Sequence, residues 1–187
     1  MRKREVWQVG QHLGVLVCAV IFWGIQGAGL ALAQASGGQS IFHKYTKPMA
    51  APDFSLENLQ GKMVNLKDNR GKVILLNFWA TWCPNCRQEA SSFNTLQAQY
   101  HSQGLEIWRI NTKESRETIW QYLEKNPIST PILLDKTGKV GRLFGLWAHP
   151  TSYLVDRRGM VRCRAVGMVD WTGTEATQVI NLLLGEK

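Results

Sequence analysis

An apolar run that passes directly into a helical pattern constrains the fold of this chain most strongly. Residues 73–79 (VILLNFW) are apolar except for Asn77, as expected for a strand buried on both faces of a sheet. From Pro84 to about Gln103, apolar residues recur at steps of three and four, which predicts a helix with Ala90 on its inward face. A buried strand followed at once by a helix is typical of α/β proteins.

The remaining pattern predicts one α/β domain over residues 48–187. Residues 34–47 are polar and contain Gly and Ser, so they predict a linker before that domain. The first two expected strands flank Gln60-Gly61 and predict an N-terminal β-hairpin extension. We expect strands at 54–56, 63–66, 105–111, 131–134, 151–155 and 161–166, and helices at 115–125, 140–144 and 174–184.

Residues 1–33 are typical of a targeting segment. Basic residues at positions 2–4 precede an apolar stretch of 21 residues, 13–33, which at about 1.5 Å per residue can just cross a bilayer of about 30 Å. It ends in Ala-Leu-Ala at 31–33, a pattern that signal peptidase accepts. The segment is either a cleaved signal peptide or a membrane anchor. Both outcomes place residues 34 onward outside the cytoplasm, secreted or anchored by residues 13–33.

The charge of the chain argues against nucleic-acid binding. The formal net charge is +8, and residues 2–5 contribute a net +2 of it, which leaves +6 for the rest. A nucleic-acid-binding protein more often carries clustered Lys and Arg on a known module, and the sequence contains no such module. We therefore expect no nucleic-acid partner.

Three cysteines follow the targeting segment. They are Cys83, Cys86 and Cys163, in a compartment that tolerates disulfides. Because three is an odd number, one thiol is left over. Cys163 alternates with Val161 and Ala165 on one face of a predicted strand, so we expect a buried core thiol at that position.

The other two cysteines lie where the buried strand gives way to the helix. Pro84 suits the first helical position, which makes Cys83 the N-cap residue. Free backbone N–H groups and the positive end of the helix dipole surround an N-cap sulfur and favour the reactive thiolate. Cys86 lies one turn deeper, close enough to resolve a mixed disulfide. The spacing therefore predicts a reversible redox pair.

Two other interpretations of this pair are weaker. Structural zinc needs four ligands, and the other external candidates, Cys163, His43, His101 and His149, are scattered singly, so we expect no metal site. A purely structural disulfide is disfavoured because a gap of two residues constrains the unfolded chain little.

Residues 78–87 (FWATWCPNCR) resemble the active-site signature of the thioredoxin superfamily. Residues 51–56 (APDFSL) and 66–72 resemble its extracytoplasmic TlpA/ResA-like branch, and the resemblance extends from about Pro48 to Trp171. The resemblance implies a thioredoxin fold, which is a central mixed sheet flanked by helices. It also implies disulfide exchange with protein substrates and no bound cofactor.

The biology of this branch implies partners and a location. Its members are often kept reduced by a membrane thiol reductase. Several prepare the cysteines of apocytochrome c for haem attachment, and others serve copper-site assembly. The resemblance therefore implies a protein of the periplasm, or of the outer face of the cytoplasmic membrane, that acts on exported proteins.

Four positions carry over from the motifs of the family. Cys83 corresponds to the nucleophile and Cys86 to the resolving thiol. Trp82 corresponds to the flanking aromatic residue. Pro150 corresponds to the cis-proline that faces the cysteines and holds an extended segment of the substrate; a cis bond before proline is rare enough to need a purpose.

Two further positions concern proton transfer. Asn77 stands where cytoplasmic thioredoxins keep a buried acid, and an amide cannot perform that role. In the TlpA/ResA-like branch a glutamate after the next strand can lie near the cysteines, and Glu114 fits that register. The alternative is that Glu114 is an acid in the first turn of a helix, stabilised by the helix dipole.

Two departures from the thioredoxin pattern leave questions open. Pro84-Asn85 reverses the thioredoxin order and is more similar to glutaredoxins and DsbA-type oxidants, so the choice between reductant and oxidant stays open. His149 precedes the expected cis-proline, where an imidazolium could lower the pKa of Cys83. It could equally be a solvated loop residue.

Three functional hypotheses follow. The leading one is an extracytoplasmic thiol–disulfide oxidoreductase that acts as a reductant. The second is a metallochaperone that binds Cu(I) through the same two cysteines, Cys83 and Cys86, with His149 as an optional third ligand, since thiolates suit that soft ion. The third is a peroxiredoxin-like peroxidase, suggested by residues 51–54; those enzymes need a threonine three residues before the cysteine, and Thr81 stands only two before Cys83.

Overall fold

The computed structural model describes residues 40–186, which form eight strands and four α-helices. In chain order the elements are β1 (Phe42–Ala50), β2 (Ser55–Asn58), β3 (Met63–Asn65), β4 (Val73–Trp79), α1 (Pro84–Tyr100), β5 (Leu105–Thr112), α2 (Arg116–Leu123), β6 (Ile132–Asp135), α3 (Lys139–Leu143), β7 (Thr151–Val155), β8 (Met160–Val166) and α4 (Thr174–Gly185). The predicted targeting segment, residues 1–33, lies outside the described residues. No helix between residues 40 and 186 is long and apolar enough to cross a membrane.

All eight strands form one mixed sheet in the order β1-β8-β7-β4-β5-β6-β2-β3. The central strand β4 runs parallel to β5 and antiparallel to β7. The hairpin β2–β3 joins the sheet through β6. This is a thioredoxin fold with an N-terminal hairpin extension, and the predicted fold class is confirmed.

The apolar run of β4 is buried along its whole length because both faces of the sheet are covered. Alternate residues point to opposite faces. Val73 and Leu75 pack with residues of α1 and α4, whereas Ile74 and Leu76 belong to a second core that includes Phe144. Helix α1 begins at Pro84 as predicted and ends at Tyr100, after which a short 3₁₀ turn leads to β5.

The expectation of a linker over residues 34–47 is wrong for its last six residues. Residues 42–47 belong to β1, which pairs with β8 in antiparallel register at the edge of the sheet. The register shifts between Lys44 and Met49, a stretch that contains Pro48. Most of β1 is exposed and polar, so its sequence lacks the apolar alternation that would have predicted a strand.

Cys163 lies in the middle of β8 and is 1% exposed. It pairs with Leu154 of β7 on one side and with Lys44 of β1 on the other. Burial raises the pKa of its thiol to about 11. The predicted buried core thiol is confirmed.

Candidate active site

Cys83 and Cys86 occupy the junction between β4 and α1. Cys83 is the N-cap residue of α1 with extended backbone, and its Sγ accepts a hydrogen bond from the backbone N–H of Cys86 at 3.2 Å. Pro84 takes the first helical position, and the first turn contains no acidic side chain. The dipole of this 17-residue helix therefore acts on the Cys83 sulfur with no acidic side chain in the first turn to oppose it, which favours the thiolate of the reduced protein.

The two cysteines form a disulfide, with their Cα atoms 5.3 Å apart. Cys83 is 3% exposed and Cys86 is fully buried. Cys83 is thus the sulfur that a partner can reach, although it is less exposed than an N-cap position suggests. The neighbouring Trp82 is 64% exposed and lies at the surface next to the pair.

The predicted cis bond is present between His149 and Pro150. Pro150 directly precedes β7, whose first residue, Thr151, pairs with Phe78 near the end of β4. Since the cysteines follow the same end of β4, the fold brings the cis-proline segment and the redox pair to one edge of the sheet. The ring of His149 lies edge-on to Trp82, with 5.5 Å between ring centroids, which joins the two segments.

His149 contacts Thr112 at the end of β5, with 2.6 Å between its Nε2 and the threonine hydroxyl. Burial lowers the pKa of its imidazole below the ordinary value, against an opposing effect of Glu114 and with a smaller contribution from Lys113. The lowered pKa favours the neutral imidazole in the oxidised protein, which argues against an imidazolium beside Cys83.

Glu114 anchors the loop that leads to Cys83. Its carboxylate accepts hydrogen bonds from the backbone N–H and the hydroxyl of Thr81, at 2.8 and 2.5 Å, and from the side-chain amide of Asn111 at 2.7 Å. The N-cap of α2 is Ser115, and the first-turn acid of that helix is Glu117. The alternative interpretation of Glu114 as a first-turn helix acid is therefore wrong.

A buried polar cluster behind Cys86 was missed by the sequence analysis. Glu89, one helical turn after Cys86, is 2% exposed. Its carboxyl group accepts hydrogen bonds from the indole N–H of Trp171 at 2.7 Å, the backbone N–H of Val169 at 3.2 Å and the side-chain amide of Asn77 at 3.2 Å. Burial raises the pKa of Glu89 to about 7, although these hydrogen bonds oppose the rise.

Arg109 of β5 completes this cluster. It is fully buried; Nε donates to the Asn77 side-chain oxygen and Nη2 to the backbone carbonyl of Cys86, both at 3.4 Å. Its guanidinium lies over the rings of Trp79 and Phe93, at 4.5 and 5.3 Å from their centroids. Burial lowers the pKa of Arg109 to about 10, so it stays charged at neutral pH.

The sequence did contain a signal for this cluster. Position 89 falls on the inward face of α1 defined by Cys86 and Phe93, at steps of three and four residues. Ala90, which the periodicity assigned to that face, is only half-buried. A charged residue at an inward position indicates a buried polar site, and Glu89 was overlooked because only apolar residues were counted.

The family model described as "AhpC/TSA family" matches residues 49–164. The chain belongs to the AhpC/TSA family. Within this family it is similar to the thiol-disulfide oxidoreductase ResA of Geobacillus thermodenitrificans, with 38% identity over 112 residues, which are 60% of this chain and 64% of ResA. The thioredoxin-like protein YneN of Bacillus subtilis is 33% identical in an alignment 167 positions long, which covers 83% of this chain and 96% of YneN.

Solved structures support the same assignment of this AhpC/TSA family chain. A protein from Chlorobium tepidum described as a thiol:disulfide interchange protein DsbE superposes with a TM-score of 0.70 and 34% identity, over 74% of this chain and 98% of the DsbE chain. The predicted relationship to the thioredoxin superfamily and its ResA-like members is confirmed.

The geometry bears on the two minor hypotheses. Between residues 40 and 186, no group of three or more His, Cys, Asp or Glu side chains is arranged to hold a metal ion. His149 instead contacts Thr112. The hydroxyl of Thr81 is engaged by Glu114, so it is not free to serve the peroxidatic role that the third hypothesis needs. Neither a Cu(I) site nor a peroxidase site gains support.

Proposed function

We propose that this protein is a thiol–disulfide oxidoreductase that reduces disulfides of exported proteins. The observation that carries the proposal is the Cys83–Cys86 disulfide at the N-terminus of α1, with the cis bond before Pro150 at the same edge of the sheet. Support also comes from the ResA proteins, which carry the name thiol-disulfide oxidoreductase and match this chain over 64% of their length.

The proposed reaction has two steps that balance in atoms and electrons. The Cys83 thiolate attacks one sulfur of the substrate disulfide, forming a mixed disulfide and releasing the other substrate sulfur as a thiolate. Cys86 then loses its proton and attacks Cys83 Sγ, which releases the second substrate thiolate and leaves the Cys83–Cys86 disulfide. Two electrons pass to the substrate in one turnover, and a membrane thiol reductase is the proposed donor that restores both thiols.

The polar groups around the pair have distinct proposed roles. Glu114 fixes the loop before Cys83 through Thr81. Trp82 and Pro150 form the surface on which an extended substrate segment lies. Glu89 is suited to exchange a proton in the interior behind Cys86, because its pKa of about 7 lies close to neutral pH.

We further propose that the protein acts outside the cytoplasm, in the periplasm or on the outer face of the cytoplasmic membrane. The support is the apolar stretch at residues 13–33, which follows a basic N-terminus, together with the likeness to ResA and DsbE. Apocytochrome c, with its paired cysteines, is one proposed substrate of the exported class.

The test compares single cysteine variants in a disulfide-reduction assay with a reduced, purified protein. We expect Cys83→Ser to abolish turnover and Cys86→Ser to accumulate a mixed disulfide with the substrate, detected by mass spectrometry. Cys163→Ser is the matched control, and it should retain full activity because that thiol is buried in the core. Normal disulfide exchange by Cys83→Ser would contradict the proposal.

Measurement of the Cys83/Cys86 reduction potential tests the direction of electron flow. A reductant should have a potential near that of thioredoxin, about −270 mV, whereas a value near that of DsbA, about −120 mV, would identify an oxidant. The potential is read from the fraction of disulfide in glutathione or dithiothreitol redox buffers.

A further inference from the structure

A groove of about 280 Å³ opens at Trp82, the residue before Cys83. Its lining includes Trp82, Thr112, Lys113, Arg142, Trp147 and His149. Trp82 and His149 also border the cysteine motif and the cis-proline, so the groove is continuous with the surface on which a substrate segment would lie. Its chemistry therefore bears on which substrates the protein accepts.

The groove presents an unusual amount of exposed aromatic surface. Trp147 is 74% exposed and Trp82 is 64% exposed, and they are the two most exposed tryptophans of the described residues. Trp79, Trp108 and Trp171, by contrast, are buried in the core. Exposed tryptophans that share a concave surface are typical of binding sites, because each offers a large apolar area with little conformational entropy to lose.

The groove is also positively charged. Lys113 and Arg142 line it, and neither forms an ion pair with any residue in the part of the chain that the structure describes. Two acids that adjoin residues of the groove are engaged elsewhere: Glu114 accepts hydrogen bonds from Thr81 and Asn111, and Asp135 accepts one from the backbone of Gly141. Arg142 Nη1 donates to the backbone carbonyl of Thr137 at 3.0 Å, which orients the guanidinium without neutralising its charge. The two positive charges can therefore still attract a carboxylate of a partner.

The backbone holds Lys113 in place at some cost. Its φ of 61° is in the left-handed region, and among the described residues it is the only non-glycine residue with positive φ. Such strain persists where the surrounding structure fixes it. The lysine stem lies over Gly138, where an added Cβ would come within 2.6 Å of Lys113 Cε. A glycine at position 138 thus leaves room for the lysine in the groove wall.

We propose that this groove selects substrate segments that carry a large apolar side chain and an acidic side chain close to the attacked cysteine. The proposal rests on the proposed function, since it concerns the substrate of that same site. The tryptophans receive the apolar side chain, and Arg142 and Lys113 attract the carboxylate. The same charges repel segments in which a basic residue takes that place.

Three blocked heptapeptides provide the probes, each as a symmetric disulfide dimer so that attack on either sulfur gives the same products. Each has a central cysteine with one glycine on either side, and the two outer positions on each side carry the test residues. These test residues are phenylalanine and glutamate in the first peptide, phenylalanine and lysine in the second, and alanine and glutamate in the third. The reduced full-length protein is mixed with each dimer, and kcat/KM is measured by chromatography of the released thiol.

We expect the wild-type protein to prefer the glutamate peptide over the lysine peptide about tenfold at low salt. Arg142→Glu should lower that ratio at least about fivefold, and Arg142→Gln should have an intermediate effect. The matched control is Arg158→Glu, an exposed arginine in the turn after β7, at the opposite end of that strand from Pro150. It should leave the ratio unchanged. Because both kcat/KM values in each ratio are measured with the same protein, differences in folding and in thiol reactivity among variants cancel.

Trp147→Ala tests the apolar half of the proposal. It should slow the reaction with the phenylalanine–glutamate peptide about tenfold and leave the alanine–glutamate peptide nearly unaffected. Raising the ionic strength should reduce the preference of the wild-type protein for glutamate, because salt screens exposed charges.

The outcomes separate the two proposals. If the wild-type protein reduces all three peptides at equal rates, or if Arg142→Glu and Arg158→Glu give the same ratio, the groove proposal is overturned while the proposed function stands. If the wild-type protein reduces none of the peptides and also does not reduce protein disulfides that dithiothreitol can reduce, the proposed function itself is wrong.

Discussion

Two glutamates near the redox pair, Glu114 and Glu89, differ in their exposure to solvent and in the groups that they contact. Glu114 lies in a loop after β5, is partly exposed, and accepts three short hydrogen bonds from its neighbours. Glu89 lies inside the fold between α1 and the sheet, and burial raises its pKa to about 7. Glu114 thus fixes the position of the backbone near Cys83, whereas Glu89 is a titratable group in the interior behind Cys86.

The difference shows how the fold divides positioning from proton chemistry. Glu114, near the surface, accepts three hydrogen bonds and serves as a fixed anchor. Glu89, in the interior, has a pKa near neutral pH, and the positive charge of Arg109 opposes part of the rise in that pKa without a direct ion pair. We therefore expect variants at the two sites to differ in size of effect and in pH dependence, and the following measurements test that distinction.

The largest effect is expected for Arg109→Leu. At pH 8 it removes the buried positive charge that favours the Glu89 carboxylate, and it leaves the Asn77 side-chain oxygen and the Cys86 carbonyl without their donor, which should lower the free energy of unfolding by about 3–5 kcal/mol. At pH 5 Glu89 is protonated, so the loss should be smaller. Urea unfolding at both pH values measures this. Arg116→Leu, which breaks a surface pair with Glu57, is the control and should cost at most about 1 kcal/mol. Equal losses at the two arginines would remove the distinction between interior and surface charge.

The second effect concerns the pH dependence of stability. The pKa of Glu89 is raised from 4.5 to about 7 on folding, so the folded state binds more protons than the unfolded state between these values. The contribution of this carboxyl group to the free energy of unfolding is therefore fully present below pH 4.5 and is lost as the pH rises to 7, a change of about 3 kcal/mol.

Glu89→Gln isolates this contribution, because the amide does not titrate. The unfolding free energy of Glu89→Gln minus that of the wild-type protein should increase by about 3 kcal/mol from pH 4.5 to 7.5. Taking the difference cancels the other titrating groups, including His149, whose lowered pKa acts in the opposite direction. A difference that stays constant with pH would mean that Glu89 titrates as an exposed carboxyl does.

Glu114→Ala should have a smaller effect on stability and a visible effect on rate. Loss of three hydrogen bonds at a partly exposed site should cost about 1–2 kcal/mol. Release of Thr81 should also slow attack by Cys83 several-fold, measured as kcat/KM for a disulfide peptide. Glu117→Ala, at the exposed first turn of α2, is the control and should leave both stability and rate nearly unchanged. If both variants behave alike, the anchoring role is wrong.

The smallest effect is expected at Thr112, the partner of His149. Thr112→Val removes the hydroxyl and should cost about 1 kcal/mol, whereas Thr112→Ser keeps the hydrogen bond and should cost less. Thermal or urea unfolding distinguishes the two variants. A larger loss for serine than for valine would show that the methyl group, and not the hydroxyl, matters at this position.

Much of the architecture could be predicted because it follows from periodicity and local chemistry. The apolar β4, the helix that begins at Pro84 and the cap at Cys83 depend on residues that are neighbours in sequence. The cis-proline could be placed only through the family resemblance, since nothing local to residues 149–151 specifies its isomer.

The parts that escaped prediction depend on contacts between distant segments. Strand β1 is exposed and polar, and it is a strand only because the edge of β8 offers hydrogen-bonding partners. Glu89 and Arg109 are charged residues whose burial becomes acceptable only when Asn77 and Trp171 come together around them. No single stretch of sequence contains that information.

The burial of Cys163 in the core between the sheet and α4 has a consequence for how the native disulfide is chosen. Three cysteines after the targeting segment permit three alternative pairings. Once the sheet and α4 have packed together, Cys163 is buried in the core as a protonated thiol, and only one pairing remains open. Sheet assembly itself thus selects the correct cross-link, so oxidative refolding should give a single product without help from an isomerase.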